Sequence, residues 1–311
     1  MNQSYSNWWY TRNSIRDYIS EEEEPEGEYR IIKKINTPTQ RIALVDHKGE
    51  MLIYSNGYVM FGTTYDDNLY AEALVHIPMS AASDRKKVLI IGGGGGITTR
   101  EALRYSEVEK ITTLDIDEVM IDFGKNLEPL VKFNKGSMNH PKVQTVVEDG
   151  RKFIEDNREK WDVIIIDLPE PTFNSLELSR LYSKEYYSLL KDRLKPGGAI
   201  SVACSAPSWM PEYFWSIQAT LKKAGFYVLP YHNFILEDCE DWAFCLATTS
   251  PVKAIDLRNL VPKKFLSRER LKDIVHIPLH FVNTKKIGRV QTDSNTVLAE
   301  IVSENDESSS S

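Results

Sequence analysis

The stretch Val88–Leu103, VLIIGGGGGITTREAL, places four aliphatic residues, five glycines and a helix-forming segment in immediate succession. This pattern predicts a β-strand, a tight turn and an α-helix. Glycines in such a turn have no Cβ, so a ligand can approach the backbone and the first amides of the helix. The alternative is a crowded junction without a ligand, but five consecutive glycines favour a binding site. We therefore expect a cofactor to contact Gly92, Gly93, Gly94 and Gly95.

Outward from this turn, apolar strands alternate with amphipathic helices from residue 83 to residue 250. KITTLDID, VQTVVED and WDVIIIDLP have strand character, and EVMIDFGKNL, GRKFIEDN and KEYYSLLKDRL follow them with helical spacing. This alternation is typical of parallel strands with helical crossovers on both faces. The predicted fold class is α/β, a doubly wound, mostly parallel sheet of the Rossmann-like, methyltransferase type. DWAFCLA, Asp241–Ala247, is predicted as the final edge strand.

Smaller segments flank this α/β domain. Residues 28–82 predict a small N-terminal antiparallel β domain and a connecting helix, because short alternating strands are separated by turn residues. Residues 1–27 are predicted to form an N-terminal arm that carries aromatic residues and ends in an acidic linker. Residues 251–302 are a less regular C-terminal extension, and the composition of residues 303–311, SENDESSSS, predicts a disordered tail.

Acidic residues end three further strands of the predicted sheet. Asp115 ends the strand after the glycine turn, and Asp149, followed by Gly150, and Asp167 end the next two. Because the carboxyl ends of parallel strands share one ligand-binding edge, we expect these carboxylates near the glycines. Asp115 can accept hydrogen bonds from both ribose hydroxyls of a nucleoside, and Asp149 can accept one from an adenine amino group. Asp117 is expected to cap the next helix.

The glycine turn by itself does not settle the cofactor. It lacks the GxxxxGK[ST] pattern, which argues against a nucleoside triphosphatase, while the glycines alone also fit a nicotinamide dehydrogenase. The pair Asp149-Gly150 and the loop after Asp167 fit an adenosyl sulfonium better.

The loop Asp167-Leu168-Pro169-Glu170-Pro171 is stiffened by two prolines. Two carboxylates three residues apart at the ligand edge can grip an alkylammonium substrate and accept its proton. Glu170 as an ordinary solvated loop acid is the alternative. Tyr70 and Tyr231 offer phenol groups and aromatic walls for a cation, although core packing explains tyrosines equally well.

Composition limits the partners. The formal net charge of −7 and the absence of a basic face argue against nucleic acid and suit a cationic small molecule, although solubility explains the acidity as well. No apolar run approaches the roughly 18 residues of a membrane span, and the first residues lack a signal-peptide plan, so we expect a cytoplasmic protein without membrane contact. The cysteines, Cys204, Cys239 and Cys245, are expected to be buried thiols. His276 and His280 flank Pro278 without a carboxylate pair, so we expect no metal.

The order of these motifs resembles that of the polyamine aminopropyltransferases, the spermidine and spermine synthase family, over residues 40–247. The matching pieces are QRIALVDHKGEMLIYSNG, DDNLYAEALVHIPM, VLIIGGGGG, LDIDEVMI, EDGRKFI, WDVIIIDLPEP and LYSKEYYSLLKDRLKPGG, with a tyrosine before DWAFCLA.

The resemblance implies specific roles and partners. The donor would be decarboxylated S-adenosylmethionine, the acceptor a small-molecule amine, and the assembly a homodimer or homotetramer. Asp167 would be the catalytic acid-base group with Tyr70 beside it, and Glu170 and Tyr231 would bind the acceptor. The nucleoside would contact the glycine turn and Gln40, Asp115, Ile116, Asp149, Gly150 and Asp167.

Three residues depart from the family pattern. The family carries an acid at the position of Gly95, His or Gln at the position of Ala71, and Asp-Ser/Thr-x-Asp-Pro where this chain has Asp-Leu-Pro-Glu-Pro. The first two departures affect the end of the pocket that would hold the primary amine of the donor. Aminopropyl transfer is therefore the leading prediction. The alternatives are a methyltransferase or a 3-amino-3-carboxypropyl transferase or cyclase that uses S-adenosylmethionine itself, and a non-catalytic nucleoside-binding module.

Overall fold

The computed structural model describes residues 29–235, 240–253, 257, 260–261, 266–267, 269–278, 282 and 288–309. The aromatic arm, Cys239 and His280 lie outside these residues. The described chain forms a four-stranded and a seven-stranded sheet. The nine α-helices of this part are α1 Tyr65–Ala81, α2 Ile97–Ala102, α3 Glu118–Asn126, α4 Glu128–Asn134, α5 Gly150–Asp156, α6 Lys184–Arg193, α7 Pro211–Lys223, α8 Arg270–Asp273 and α9 Val297–Ser309.

The strands of the smaller sheet are β1 Tyr29–Asn36, β2 Arg41–His47, β3 Glu50–Ser55 and β4 Tyr58–Gly62. They form an antiparallel meander in the order β1-β2-β3-β4. Asn56 and Gly57 both have positive φ, as a two-residue hairpin turn between β3 and β4 requires. One face of this sheet packs its aliphatic side chains against α1, α2 and α3 of the larger domain. The N-terminal sheet therefore covers the start of the helix that follows the glycines.

The strands of the larger sheet are β5 Lys87–Gly92, β6 Lys110–Asp115, β7 Val143–Val147, β8 Trp161–Asp167, β9 Leu194–Ala203, β10 Tyr227–Ile235 and β11 Glu240–Thr248. Their order is β10-β11-β9-β8-β5-β6-β7. Strands β7, β6, β5, β8 and β9 run parallel, and β11 and β10 are antiparallel to their neighbours. Apolar layers cover both faces of the sheet. The predicted α/β fold with a doubly wound, mostly parallel sheet is confirmed.

The prediction of Asp241–Ala247 as the edge strand is wrong. This segment lies in β11, between β9 and β10, and its residues from Ala243 to Ala247 are buried. The edge strand on this side of the sheet is β10, which contains Pro230. Proline has no backbone N–H to donate, so it is tolerated at an edge and not in a central strand.

The chain end also differs from the prediction of a disordered tail over residues 303–311. Helix α9 begins at Val297 and continues to Ser309. Its first turns bury Leu298 and Ile301 in the core layer that also contains residues of α7. Once tertiary packing has nucleated a helix, the following residues extend it at little cost unless Gly or Pro intervenes. The composition of residues 303–311 does not show that a packed helical segment precedes them.

Candidate active site

Four neighbouring parallel strands end at one edge of the large sheet. Asp149 follows β7, Asp115 ends β6, the glycine turn follows β5, and Asp167 ends β8. In register, Asp115 lies opposite Val147 and Gly92 lies opposite Asp167. The structure thus brings the sequence-predicted carboxylates and glycines to a single edge.

Glycine is required at the first position of the turn. Gly92 has φ of 85°, and a Cβ there would overlap the carbonyl oxygen of Asp167. A residue with a side chain would therefore have to adopt a left-handed backbone and displace the adjacent strand. The close approach keeps the turn against the backbone of Asp167 at the end of β8.

The carboxylate of Asp115 is fixed to the backbone around it. Its Oδ2 accepts a hydrogen bond from the N–H of Gly94 at 3.1 Å, and its Oδ1 accepts one from the N–H of Asp117 at 3.0 Å. Burial raises the pKa of Asp115 to about 6, against the lowering effect of these two amides. The side chain is thus an oriented acceptor whose charge is only partly compensated by the protein.

Two apolar side chains flank this carboxylate. Ile116 is 46 % exposed and Val147 is 49 % exposed, although both are aliphatic. Next to Val147 in space, Asp149 caps α5 by accepting the N–H of Lys152 at 2.8 Å, and Gly150 is buried beneath it. The carboxylate of Asp115 therefore lies beside an exposed apolar surface of the kind that a flat aromatic ring covers.

Gln40 reaches this edge from the N-terminal sheet. Its Nε2 donates to Oδ2 of Asp117 at 2.9 Å, and its Oε1 accepts a hydrogen bond from Ser55 at 2.6 Å. Thr37 and Thr39 also donate to Oδ2 of Asp117, each at 2.6 Å. Gln40 therefore contacts Asp117, which follows Asp115 by two positions, and both ends of its amide are engaged by the protein.

Asp117 has two functions in the structure. As predicted, it caps α3, accepting the N–H of Val119 at 3.0 Å. Its other oxygen ties the N-terminal sheet to the large domain. Burial alone would raise the pKa of Asp117, but hydrogen bonds from Thr37, Thr39 and Gln40 hold it below its usual range. The sequence contained no signal for this tether.

Asp167 is held by two hydroxyl groups from two different helices. Tyr70 of α1 donates to Oδ1 at 3.0 Å, and Thr98 of α2 donates to Oδ2. Burial raises the pKa of Asp167, and the two hydroxyl groups partly offset that effect. Tyr70 was predicted beside Asp167, whereas Thr98 was not identified from the sequence.

Tyr70 also belongs to an aromatic wall. Its ring contacts Trp242 edge-on, with centroids 6.0 Å apart, and Phe244 at 5.5 Å. Burial, followed by the negative charge of Asp167, keeps the pKa of Tyr70 well above that of a free phenol. The phenol therefore stays protonated and serves as a hydrogen-bond donor.

Glu170 follows Asp167 on a fixed loop. The hydroxyl of Tyr182 contacts the carbonyl oxygens of Leu168 and Pro169 at 2.9 and 3.0 Å. The negative charge of Glu170 contributes to the raised pKa values of Tyr70 and Tyr182, after the larger effect of burial. The site around Asp167 is therefore anionic and suited to a cation.

Tyr231 does not reach these carboxylates. It is fully buried, its ring stacks on Phe244 at 5.1 Å, and its hydroxyl donates to the carbonyl oxygen of Ala73 at 3.2 Å. A tyrosine whose ring packs into the core and one that lines a pocket have the same sequence pattern. The structure places Tyr231 beneath the wall formed by Tyr70 and Phe244.

The region around Gly95 is apolar and closely packed. A Cβ on Gly95 would lie 2.5 Å from Cε2 of Phe61, and Ala71 is fully buried. Phe61, Ala71 and Ile97 belong to the cluster between the N-terminal sheet and the large domain. The aromatic ring of Phe61 therefore lies where a side chain on Gly95 would project.

A second group of ionisable residues lies behind the site. Glu72, His76 and Glu101 are buried and place potential metal-ligand atoms within 4.8 Å of one another. However, Arg104 donates to Glu101 at 2.6 Å, and His76 contacts Glu101 at 2.9 Å and Tyr105 at 2.7 Å. The groups therefore form an ion-pair network that ties α1 to α2.

Of the remaining predicted features, Cys204 follows directly on β9 and Cys245 lies in β11. Cys204 and Cys245 are buried free thiols, and burial raises the pKa of Cys204 well above its usual value. His276 lies in the C-terminal extension, where its carbonyl oxygen accepts a hydrogen bond from His232 at 3.0 Å. Among the described helices, none has the length and apolarity to cross a membrane.

Comparison with known proteins identifies a family. The spermine/spermidine synthase domain model matches residues 67–258. Polyamine aminopropyltransferase 2 of Bacillus cereus is 31 % identical over 286 residues, covering 91 % of this chain and 77 % of that protein. A polyamine aminopropyltransferase of Oceanobacillus iheyensis is 30 % identical over 241 residues, covering 78 % of this chain and 46 % of the relative. The chain thus spans about half the length of several curated relatives that it matches.

The fold has solved counterparts. The crystal structure of spermidine synthase from Thermotoga maritima superposes with a TM-score of 0.73 at 24 % identity, covering 83 % of this chain and 88 % of that one. A spermidine synthase in complex with the transition state analogue AdoDATO gives the same TM-score. With its fold, its domain match and its relatives in agreement, this chain belongs to the spermine/spermidine synthase family.

Proposed function

We propose that this protein transfers an aminopropyl group from decarboxylated S-adenosylmethionine to a small-molecule amine. The observation that carries the proposal is the Asp167 carboxylate, held by two hydroxyl groups on the same sheet edge as the glycine turn and Asp115. The family match and the relatives named polyamine aminopropyltransferase support the same reaction class.

The nucleoside of the donor would lie over the glycine turn. Asp115 would accept hydrogen bonds from the ribose hydroxyls, with Gln40 at the N-terminal side. The adenine ring would cover the exposed side chains of Ile116 and Val147, and Asp149 with Gly150 would face its amino group. The sulfonium would then lie toward Asp167, because Gly93 adjoins that carboxylate.

The acceptor amine would enter on the side of Glu170 and the aromatic wall. Glu170 and the ring of Tyr70 favour an ammonium group by charge and by cation–π contact. Asp167 would remove a proton, leaving a nitrogen lone pair free to attack the carbon next to sulfur. A C–N bond forms as the C–S bond breaks, the electron pair moves to sulfur, and methylthioadenosine leaves. The protein supplies alignment and an anionic site.

A second donor is favoured by one observation. The ring of Phe61 fills the space in front of Gly95, and Ala71 is buried among apolar residues. A primary ammonium group at this end of the pocket would lack a carboxylate partner, which is costly in an apolar environment. Intact S-adenosylmethionine carries its own carboxylate beside that ammonium group, and an acid at the position of Gly95, which would repel this carboxylate, is absent here. This molecule, as donor of a methyl or a 3-amino-3-carboxypropyl group, is therefore the second candidate.

By-product analysis tests both donors. The purified full chain is incubated with each sulfonium and a panel of diamines and polyamines, and the nucleoside product is identified by mass spectrometry. Methylthioadenosine from the decarboxylated donor supports the proposal, whereas S-adenosylhomocysteine from S-adenosylmethionine indicates methyl transfer. Methylthioadenosine from intact S-adenosylmethionine indicates aminocarboxypropyl transfer or cyclisation. Binding of methylthioadenosine without turnover of either donor would indicate a nucleoside-binding module instead.

Asp167→Asn tests the role of the carboxylate. We expect turnover to fall by at least about 10³-fold, while methylthioadenosine binds within about tenfold of wild type, because the nucleoside contacts lie on other strands. The exposed Asp156 on α5 provides the control, and Asp156→Asn is expected to keep wild-type kinetics. An Asp167→Asn variant with near-normal kcat would remove this residue from the mechanism.

We also propose a cytoplasmic location and a homodimeric or homotetrameric assembly for this protein. Light scattering on the purified chain measures the assembly directly.

A further inference from the structure

The second oxygen of Asp167 is held by a residue of the glycine-turn helix. Thr98 is only 2 % exposed, and its hydroxyl donates to Oδ2 while Tyr70 donates to Oδ1. We propose that Thr98 is a positioning residue that orients the Asp167 carboxylate and keeps it ionised for the acceptor amine. The kinetic part of this inference rests on the proposed transferase function. The hydrogen bond and its effect on the carboxyl group do not.

The turn geometry explains why Thr98 reaches Asp167. Gly93 approaches the carboxylate so closely that a Cβ would lie 3.0 Å from Oδ2. Gly96, with φ of 79°, is the N-cap residue of α2, and Thr98 lies in the first turn of this helix. The backbone that would support the nucleoside therefore also carries the hydroxyl that contacts the carboxylate.

Helix α2 is short, but side-chain contacts fix its position. Arg100 donates to Oδ1 of Asn68 on α1 at 2.8 Å, and Glu101 contacts His76 of α1 at 2.9 Å. Tyr70 belongs to the same α1. The two helices that supply the hydroxyl groups are thus tied to each other, so the distance between the two donors is set before any ligand binds.

The single proton of the Thr98 hydroxyl is used in this bond. Threonine hydroxyls in helices often donate to the backbone carbonyl four residues earlier. Here the hydroxyl donates to a carboxylate 69 positions away in sequence. A carboxylate that accepts one hydroxyl at each oxygen keeps further lone pairs available, and these can face an approaching ammonium group.

The Thr98 hydroxyl opposes the effect of burial on the pKa of Asp167. Burial favours the neutral acid and raises the pKa of Asp167, and the bonds from Thr98 and Tyr70 lower it. Among the described residues, the titratable groups around this site include Tyr70 of α1, Tyr182 of the 3-10 helix Leu176–Tyr182, Asp115 of β6 and Glu170 of the same loop. All four are acids, so Thr98 stabilises the carboxylate among groups that do not offset its charge.

The test compares three variants of nearly equal shape. Thr98→Val removes the hydroxyl, Thr98→Ser retains it, and Thr99→Val is the matched control. Thr99 is the next residue of α2 and fully buried, and its hydroxyl pairs with that of Thr113 at 2.9 Å. The carboxyl of Asp167 is titrated by NMR in protein labelled with ¹³C at aspartate Cγ, and Asp167→Asn identifies its resonance.

We expect Thr98→Val to raise the measured pKa of Asp167 by about one pH unit, the effect of one lost hydrogen bond to a charged group. Thr98→Ser and Thr99→Val are expected to stay within about 0.3 pH unit of wild type. In turnover assays, the acidic limb of kcat/KM should move by the same amount in Thr98→Val only, with the KM for the donor unchanged.

Two results overturn the inference. One is an Asp167 carboxyl in Thr98→Val that titrates as in wild type, and the other is an equal rise in Thr99→Val. A rise confined to Thr98→Val in a protein that turns over no donor would support the positioning role and refute the proposed transferase function.

Discussion

Asp115 is expected to lower the stability of the protein without ligand and to strengthen the binding of the ligand. Burial places its pKa at about 6 in the folded chain, above the ordinary value of 3.8. A folded carboxyl group with a raised pKa binds more protons than the unfolded chain between these values, so stability falls as pH rises from about 4 to about 6. Above pH 6 the full cost remains, about 2 to 3 kcal/mol for a shift of this size.

Asp115→Asn removes this cost. The backbone N–H groups of Gly94 and Asp117 each donate to one oxygen of the carboxylate. The asparagine side chain has only one acceptor oxygen, so one of these two N–H groups loses a hydrogen bond worth about 1 kcal/mol. We therefore expect the variant to be about 1 to 2 kcal/mol more stable than wild type at pH 8. At pH 4, where the native carboxyl group is already protonated, the gain should vanish or change sign.

Urea unfolding at pH 8 and pH 4, followed by tryptophan fluorescence, measures the difference. Methylthioadenosine binding by calorimetry should weaken at least tenfold in the variant, because a ribose would lose a charged acceptor. Asp122→Asn on the exposed face of α3 is the control, expected within about 0.5 kcal/mol of wild type. An Asp115→Asn protein that is less stable at pH 8, or equally stabilised at both pH values, would refute the reasoning.

Two further substitutions follow from packing and from the buried ion pairs. Gly95→Asp alone should destabilise the chain by about 1 to 3 kcal/mol because its side chain would overlap the ring of Phe61. Combined with Phe61→Ala, it should fold and shift kcat/KM toward decarboxylated S-adenosylmethionine; an unchanged donor preference would count against our account of this pocket. Burial opposes ionisation of Glu101, but hydrogen bonds with His76 and Arg104 lower its pKa from 4.5 to about 2. Its stabilising effect is thus complete above pH 4.5 and lost toward pH 2, so Glu101→Gln should cost about 2 to 4 kcal/mol at pH 7 and much less at pH 2.5, as measured by urea unfolding.

Much of the fold and part of the site follow from local patterns. The alternation of aliphatic strands and amphipathic helices, and five glycines after a strand, predict the doubly wound sheet and its ligand edge. Asp115 and Asp167 follow from the same rule, since each ends an apolar strand. These features depend on residues that are close in sequence, and a single chain therefore displays them.

Sequence spacing does not predict contacts between distant segments. The bonds of Tyr70 and Thr98 to Asp167 join residues 97 and 69 positions apart. They depend on strand order and on the rotation of two helices about their axes. The burial of Tyr231 and the placement of β11 inside the sheet depend on how the last hairpin is added.

The glycine turn illustrates both contributions. Its sequence alone indicates a ligand-binding backbone, because only glycine combines positive φ with close approach. The tertiary structure decides what surrounds that backbone. Phe61 packs against Gly95, and the helix that follows directs Thr98 to the carboxylate of Asp167. Local conformation is encoded by neighbouring residues, whereas the chemistry of the pocket depends on which distant side chains the packed sheet and helices bring within a few ångströms of it.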